Sequence, residues 1–277
     1  MSLATVLFLF LAHLGVGIIF TLAFVSRDAG VKFFRFNAGL AAILILIALA
    51  FRYGLFGGAP AQQSALDRDA LLALDVAAAA AVFYWATVGR ILAKVRPIIA
   101  GVGVLGGLTA VVLQAIAVSA DRSLPAQALT VASFLTSAAM LGGACTAMIL
   151  GHWYLVIPSL QVSHLQSIVR VHIASMAARV VVVGVAVWCA LSTAMFRSES
   201  DFGPSFHHYI FSVDGIFFWQ RILFGLAGPA VLSYLTWQTA KIRSTQSATG
   251  ILYVDFFTVV VGEVLAKYIV LATRVPV

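Results

Sequence analysis

Long apolar runs separated by short polar clusters organise the whole chain. The runs fall at about 3–25, 38–57, 70–93, 97–119, 127–151, 171–196, 214–238 and 247–272. Each has the length that crosses a hydrocarbon core of about 30 Å as a helix. The alternating ten-residue pattern of a membrane strand is absent. Amides in lipid must be satisfied within their own segment, so these runs are predicted to be helices. Connections such as Ser26–Asn37, Gly89–Arg96 and Ala240–Gln246 are short and predict antiparallel neighbours. The expected fold is all-α: one polytopic transmembrane bundle of about eight helices over residues 1–277, with no soluble domain.

Composition sharpens this expectation. Charged residues make up 10% of the chain and hydrophobic ones 62%. A water-soluble surface takes roughly 25% charged residues, so the partner of most of this surface is the lipid bilayer. The net charge of +7 is explained by basic residues collecting in short cytoplasmic loops, and no nucleic-acid partner is implied. Cys145 and Cys189 both sit inside apolar runs and read as packing residues, not as a disulfide or metal site. The first run has no preceding Lys or Arg and is too long for a signal-peptide core, so it reads as a retained helix.

Loop charges set the expected orientation. Arg27, Lys32, Arg35, Arg90, Lys94, Arg96, Arg170, Lys241 and Arg243 fall on one side. Arg52, Arg68, Arg122, Arg197 and Arg274 fall on the other. That asymmetry places both termini outside the cytoplasm of a bacterial inner membrane.

Gly101-Val-Gly103-Val-Leu-Gly106 fits the dinucleotide fingerprint, which works only between a strand and a helix in water. Inside an apolar helix, Gly103 and Gly107 instead predict close helix packing. The eighth run is richer in chemistry. It carries Asp255, Glu263 and Lys267, and the last two are four residues apart on one helical face. A charge within the bilayer costs at least about 2.5 kcal/mol, so such residues face the bundle interior. Two readings stand level: an ion pair that locks the helix, or a carboxylate that handles protons.

The sixth run adds His172, Ser175 and Arg179 as one polar stripe. Arg179 is the deeper of two arginines and is expected to have a carboxylate partner, whereas Arg221 is expected to snorkel. Pro229 alone is internal to a run and predicts a kink. Haem b ligation is an alternative, with His13, His152 and His172 as candidates and the last two placed at the ends of their runs.

Three segments carry a resemblance: Gly262-Glu263-Val-Leu-Ala-Lys267, Phe218-Trp-Gln-Arg-Ile-Leu223 and His152-Trp-Tyr-Leu-Val-Ile-Pro158. Together with the run count they resemble the membrane-anchor subunits of complex iron–sulfur molybdoenzymes, the dimethyl-sulfoxide-reductase and polysulfide-reductase anchors. The third segment follows the fifth run here, whereas the anchors have it after the second helix. The resemblance implies eight helices with external termini and a quinol site without haem, for menaquinone or ubiquinone. It also implies electron exchange with an iron–sulfur or cytochrome partner subunit. The polar part of that site falls to Glu263, Lys267, Asp255, Arg179 and His172. A haem b cytochrome subunit and an ion-coupled transporter are the alternative functions.

Overall fold

The computed structural model describes residues 2–55, 64–90, 94–157, 161–192 and 206–277. Eight of its helices are long and apolar enough to cross a membrane: α1 (Leu3–Leu22), α2 (Arg27–Arg52), α3 (Ala65–Thr87), α4 (Arg96–Val118), α5 (Leu124–Val156), α6 (Val162–Ser192), α8 (Val213–Lys241) and α9 (Thr245–Thr273). A short helix, α7 (Phe206–Phe211), precedes the seventh span. Among the described residues there is no strand.

The order and type of the spans are as expected, but three boundaries are not. α2 begins at Arg27, about eleven residues before the apolar run, so most of the supposed connection Ser26–Asn37 is helix. α6 begins at Val162 and α5 continues to Val156. The added turns carry polar and basic residues, which a search for apolar runs counts as loop. Their backbone ladder continues because the polar side chains find partners along it. Asn37 Nδ2 donates to Phe33 O at 2.9 Å, and Arg35 Nη2 donates to Val88 O at 2.5 Å. Longer α5 and α6 change where the histidines stand: His172 lies ten residues inside α6 instead of at its end.

α1, α5 and α9 are the most enclosed spans. α1 packs on α2, α4 and α5, while α3 bridges α2 and α4. α5, α6, α8 and α9 form a second set, in which α5 and α8 each touch both α6 and α9. α6 and α9 therefore face each other across the interior of this set.

Two glycine crossings fix the spacing. A Cβ on Gly142 of α5 would lie 2.0 Å from the carbonyl carbon of Gly17 on α1, so these two backbones are in direct contact. One turn along, Thr21 Oγ1 and Thr146 Oγ1 share a hydrogen bond of 2.7 Å. Backbones approach this closely only where a side chain is missing, and dispersion plus polar contact then hold them. Of the expected α4 pair, Gly107 packs tightly, whereas a Cβ on Gly103 would stand at ordinary contact distance, 3.4 Å from Ala80 Cβ. A Cβ on Gly107 would meet Val16 at 2.8 Å, and one on Gly106 would meet the Ala73 carbonyl at 3.2 Å.

Gly142→Ala is expected to cost about 2–3 kcal/mol through overpacking at the α1–α5 crossing, read as a lower melting temperature in mild detergent. Gly184→Ala is the control, because its Cβ would meet nothing within 4 Å. Equal melting temperatures for the two variants would show that the crossing is not tight.

Candidate functional site

Glu263 projects from α9 into the second helix set, where it is fully buried. Three cations meet its carboxylate. Arg179 on α6 grips it with two bonds, Nε to Oε1 at 3.0 Å and Nη2 to Oε2 at 3.3 Å. Arg221 on α8 donates Nη2 to Oε1 at 2.9 Å. Lys267, one turn further along α9, places Nζ 3.7 Å from Oε2. Ser137 of α5 donates a short hydrogen bond to Oε2 and accepts one from Lys267 Nζ at 2.6 Å. All four helices of the set thus converge on one carboxylate.

Around this centre the remaining donors are partly satisfied. Arg179 Nη1 donates to Ser133 Oγ at 2.6 Å and to the Ser133 carbonyl at 3.1 Å. Its Nη2 also reaches the backbone oxygen of Val277 at 3.2 Å. Arg274 at the end of α9 takes φ +61°, and the reversal brings Val275 and Val277 into buried positions. Lys267 Nζ lies 4.9 Å from the centre of the Phe134 ring, a cation–π distance, and His13 of α1 stands edge-on to the same ring at 4.9 Å. His13 and Gln114 of α4 are both buried, so the polar layer reaches into the first helix set.

Arg221 corrects the expectation that it snorkels: it is 0% exposed and belongs to the cluster. The reason lies in α8, which is not one continuous α-helix. Ile216–Ile222 gives way to a π turn at Leu223–Ala227, then α-helix resumes at Gly228. Pro229 has no N–H to donate, so the ladder ahead of it must rearrange, and the irregularity expected there takes this form. Gly225 in the π turn and Gly262 beside Glu263 form the second glycine crossing, where a Cβ on Gly262 would lie 2.1 Å from Gly225 Cα. A Cβ on Gly225 would overlap Arg221 Nη1, so the missing side chain leaves the guanidinium room to turn inward.

A second polar pair lies about two turns nearer the start of α9. His172 Nε2 of α6 stands 2.7 Å from Asp255 Oδ2, with both side chains 0% exposed. The contact has ion-pair distance without hydrogen-bond alignment, and among the described residues neither side chain has a hydrogen-bond partner. Asp255 and Glu263 are eight residues apart, about 12 Å along the helix. Ser175, the middle of the expected stripe, donates to the Val171 carbonyl at 2.9 Å and joins neither layer.

All five expected site residues are therefore buried in the α6–α9 interior, divided between two layers. The sequence did not single out Ser133, Ser137 or Gln114, since single Ser and Gln residues are common in membrane helices. The three histidines are held apart. His152 is exposed and its Nδ1 lies 3.1 Å from the Tyr253 hydroxyl. Tyr253 and Asp255 are two residues apart and point to nearly opposite sides of α9, which separates His152 from His172. His13 belongs to the Lys267 layer, and twelve residues part Lys267 from Asp255, about 18 Å. Two axial ligands of one haem face each other across a single iron, and this placement does not fit such a pair.

Glu263→Ala is expected to remove the one side-chain carboxylate that, among the described residues, pairs with all three buried cations, and to cost about 3–5 kcal/mol. Lys267→Met should be milder, because both guanidinium contacts to Glu263 survive. Thermal melts of the purified proteins rank the two, and a Lys267→Met loss as large as that of Glu263→Ala contradicts the assignment. No family model and no curated protein matches the chain, so no family is assigned to it.

Proposed function

We propose that this chain is a quinone-interacting membrane subunit of an electron-transfer complex, in which it handles protons while partner subunits carry electrons. The reading rests on one observation above all. Two segments that resemble the iron–sulfur molybdoenzyme anchors, around Gly262-Glu263 and around Trp219-Gln-Arg221, meet in a single ion pair of 2.9 Å. Residues of no soluble-domain chemistry, placed deep in a bilayer at such cost, are characteristic of proton or ion pathways. Quinone chemistry needs such groups, since each electron pair is accompanied by two protons. Sidedness follows the loop charges, with the ends of the chain outside the cytoplasm of a bacterial inner membrane.

The two layers divide the labour. Glu263 accepts hydrogen bonds from Arg179, Arg221 and Ser137 on three other helices and pairs with Lys267 on its own, so it fixes α6, α8 and α9 relative to α5. Among the described residues His172 and Asp255 have no other partner, and a proton moved between them disturbs no other bond. The proton-handling role is therefore given to His172–Asp255 and the positioning role to the Glu263 cluster. A quinone headgroup, as substrate, takes up or gives up its protons through that pair.

An ion-coupled transporter is the second reading. The Glu263 cluster is sealed, with its four charged residues at most 1% exposed. A sealed charge layer suits an ion-coupled transporter as well as a redox subunit.

Purification in mild detergent separates the two. The redox reading expects an iron–sulfur or cytochrome subunit to copurify, and quinol turnover by that assembly to fall at least tenfold in Asp255→Asn with its composition unchanged. A chain that purifies alone and carries proton flux in liposomes would replace the redox reading with the transporter. Full turnover in Asp255→Asn would remove His172–Asp255 from the mechanism.

A further inference from the structure

We propose that the seam between α6 and α8, at the end of the bundle where α6 begins and α8 ends, binds the headgroup of an anionic phospholipid. Charge at this end is one-sided. Its basic residues, from Arg27 to Arg243, are accompanied by one acidic residue, Asp28, which lies 3.3 Å from His164. Two of the cations converge from different helices. Arg170 of α6 lies 6.0 Å, and Lys241 of α8 5.2 Å, from the centre of the same Trp237 ring. The ring attracts each cation but carries no net charge, so it gathers two like charges without neutralising them. Both side chains are exposed, and among the described residues neither pairs with a carboxylate.

Hydrogen bonding leaves the charged heads available. Gln166 Nε2 donates to the Ala240 carbonyl at 3.2 Å, which ties α6 to α8 at this level. Among the described residues, Arg170 commits only Nε, to the Gln166 carbonyl at 3.4 Å, and Lys241 Nζ donates to no acceptor. The fold thus sets where the two stems rise, while a guanidinium edge and an ammonium remain to meet phosphate oxygens. The surface next to them selects a lipid over a free anion. On α6, Ala174, Ala177 and Val181 follow Arg170 at steps of four, three and four, and all are exposed. On α8, Trp237, Tyr234 and Ala230 lead away from Lys241 by the same steps, with Tyr234 and Ala230 exposed. Each strip begins at a cation and runs apolar into the hydrocarbon, the arrangement that a phosphate with acyl chains attached would cover. Tryptophan at the headgroup level fits the same depth. Basic sites between membrane helices recognise anionic headgroups in this way. The inference stands on the α6–α8 seam and depends neither on the redox reading nor on which side of the membrane this end faces.

The test uses the full chain in mild detergent, titrated with phosphatidylglycerol or phosphatidylcholine of identical acyl chains, with retained lipid read by native mass spectrometry. Phosphatidylglycerol should saturate and bind at least tenfold more tightly than phosphatidylcholine. The double variant Arg170→Gln, Lys241→Gln should lose that preference. Lys32→Gln, which removes an exposed cation of the same end on α2, should keep it. Equal binding of the two lipids by the unaltered chain would overturn the proposal. So would an equal loss in Lys32→Gln, which would trace the preference to the general charge of this end. Displacement of phosphatidylglycerol by an equal concentration of inorganic phosphate would also overturn it, because the site would then take the anion without the chains. The comparison of the two lipids needs no variant, so it decides the matter even if the double variant does not fold.

Discussion

Everything in the second half of this bundle depends on one carboxylate having three cations to hold. Glu263 is the point at which α6, α8 and α9 meet through charge, and α5 joins through Ser137. In hydrocarbon the helices gain little from apolar contact, since lipid tails solvate leucine as well as leucine does. A buried ion cluster supplies what is missing: a penalty for any arrangement in which the charges separate. It selects one helix arrangement more surely than it stabilises that arrangement, because its own desolvation cost is large.

The cluster in turn needs the glycine crossings. Arg221 reaches Glu263 because Gly225 and Gly262 bring α8 and α9 into backbone contact and leave room for the guanidinium. The π turn supplies the local departure from regular helix at this point. On the other side, Gly17 and Gly142 press α1 against α5, which sets His13 and Phe134 beside Lys267. Small residues and large charges thus act together: the first bring the helices close, and the second make the closeness specific.

Much of this was legible in the residues. Apolar run length identified the eight spans, and the spacing of Glu263 and Lys267 identified the face they share. The depth of Arg179 implied a carboxylate partner, which Glu263 proved to be. What stayed hidden was what depends on contact between distant segments or on irregular backbone. Arg221 stands near the start of its run, where arginines ordinarily reach for the membrane edge; only the π turn and the glycine crossing turn it inward. The starts of α2 and α6 lie outside the apolar runs because Lys32, Arg35 and Arg170 look like loop residues, although a helix end readily carries them at the interface. The same residues make His172 look like a helix-end residue, whereas the longer α6 carries it inside the bundle to Asp255.

The most direct measurement of the central claim is a double-mutant cycle on Glu263 and Arg221, using Gln and Met replacements and unfolding free energies in detergent. If Glu263 is the charge on which Arg221 depends, the two losses are not additive and the coupling energy reaches about 2 kcal/mol or more. A coupling near zero, with each replacement costing the same whether or not the other is present, would contradict the account.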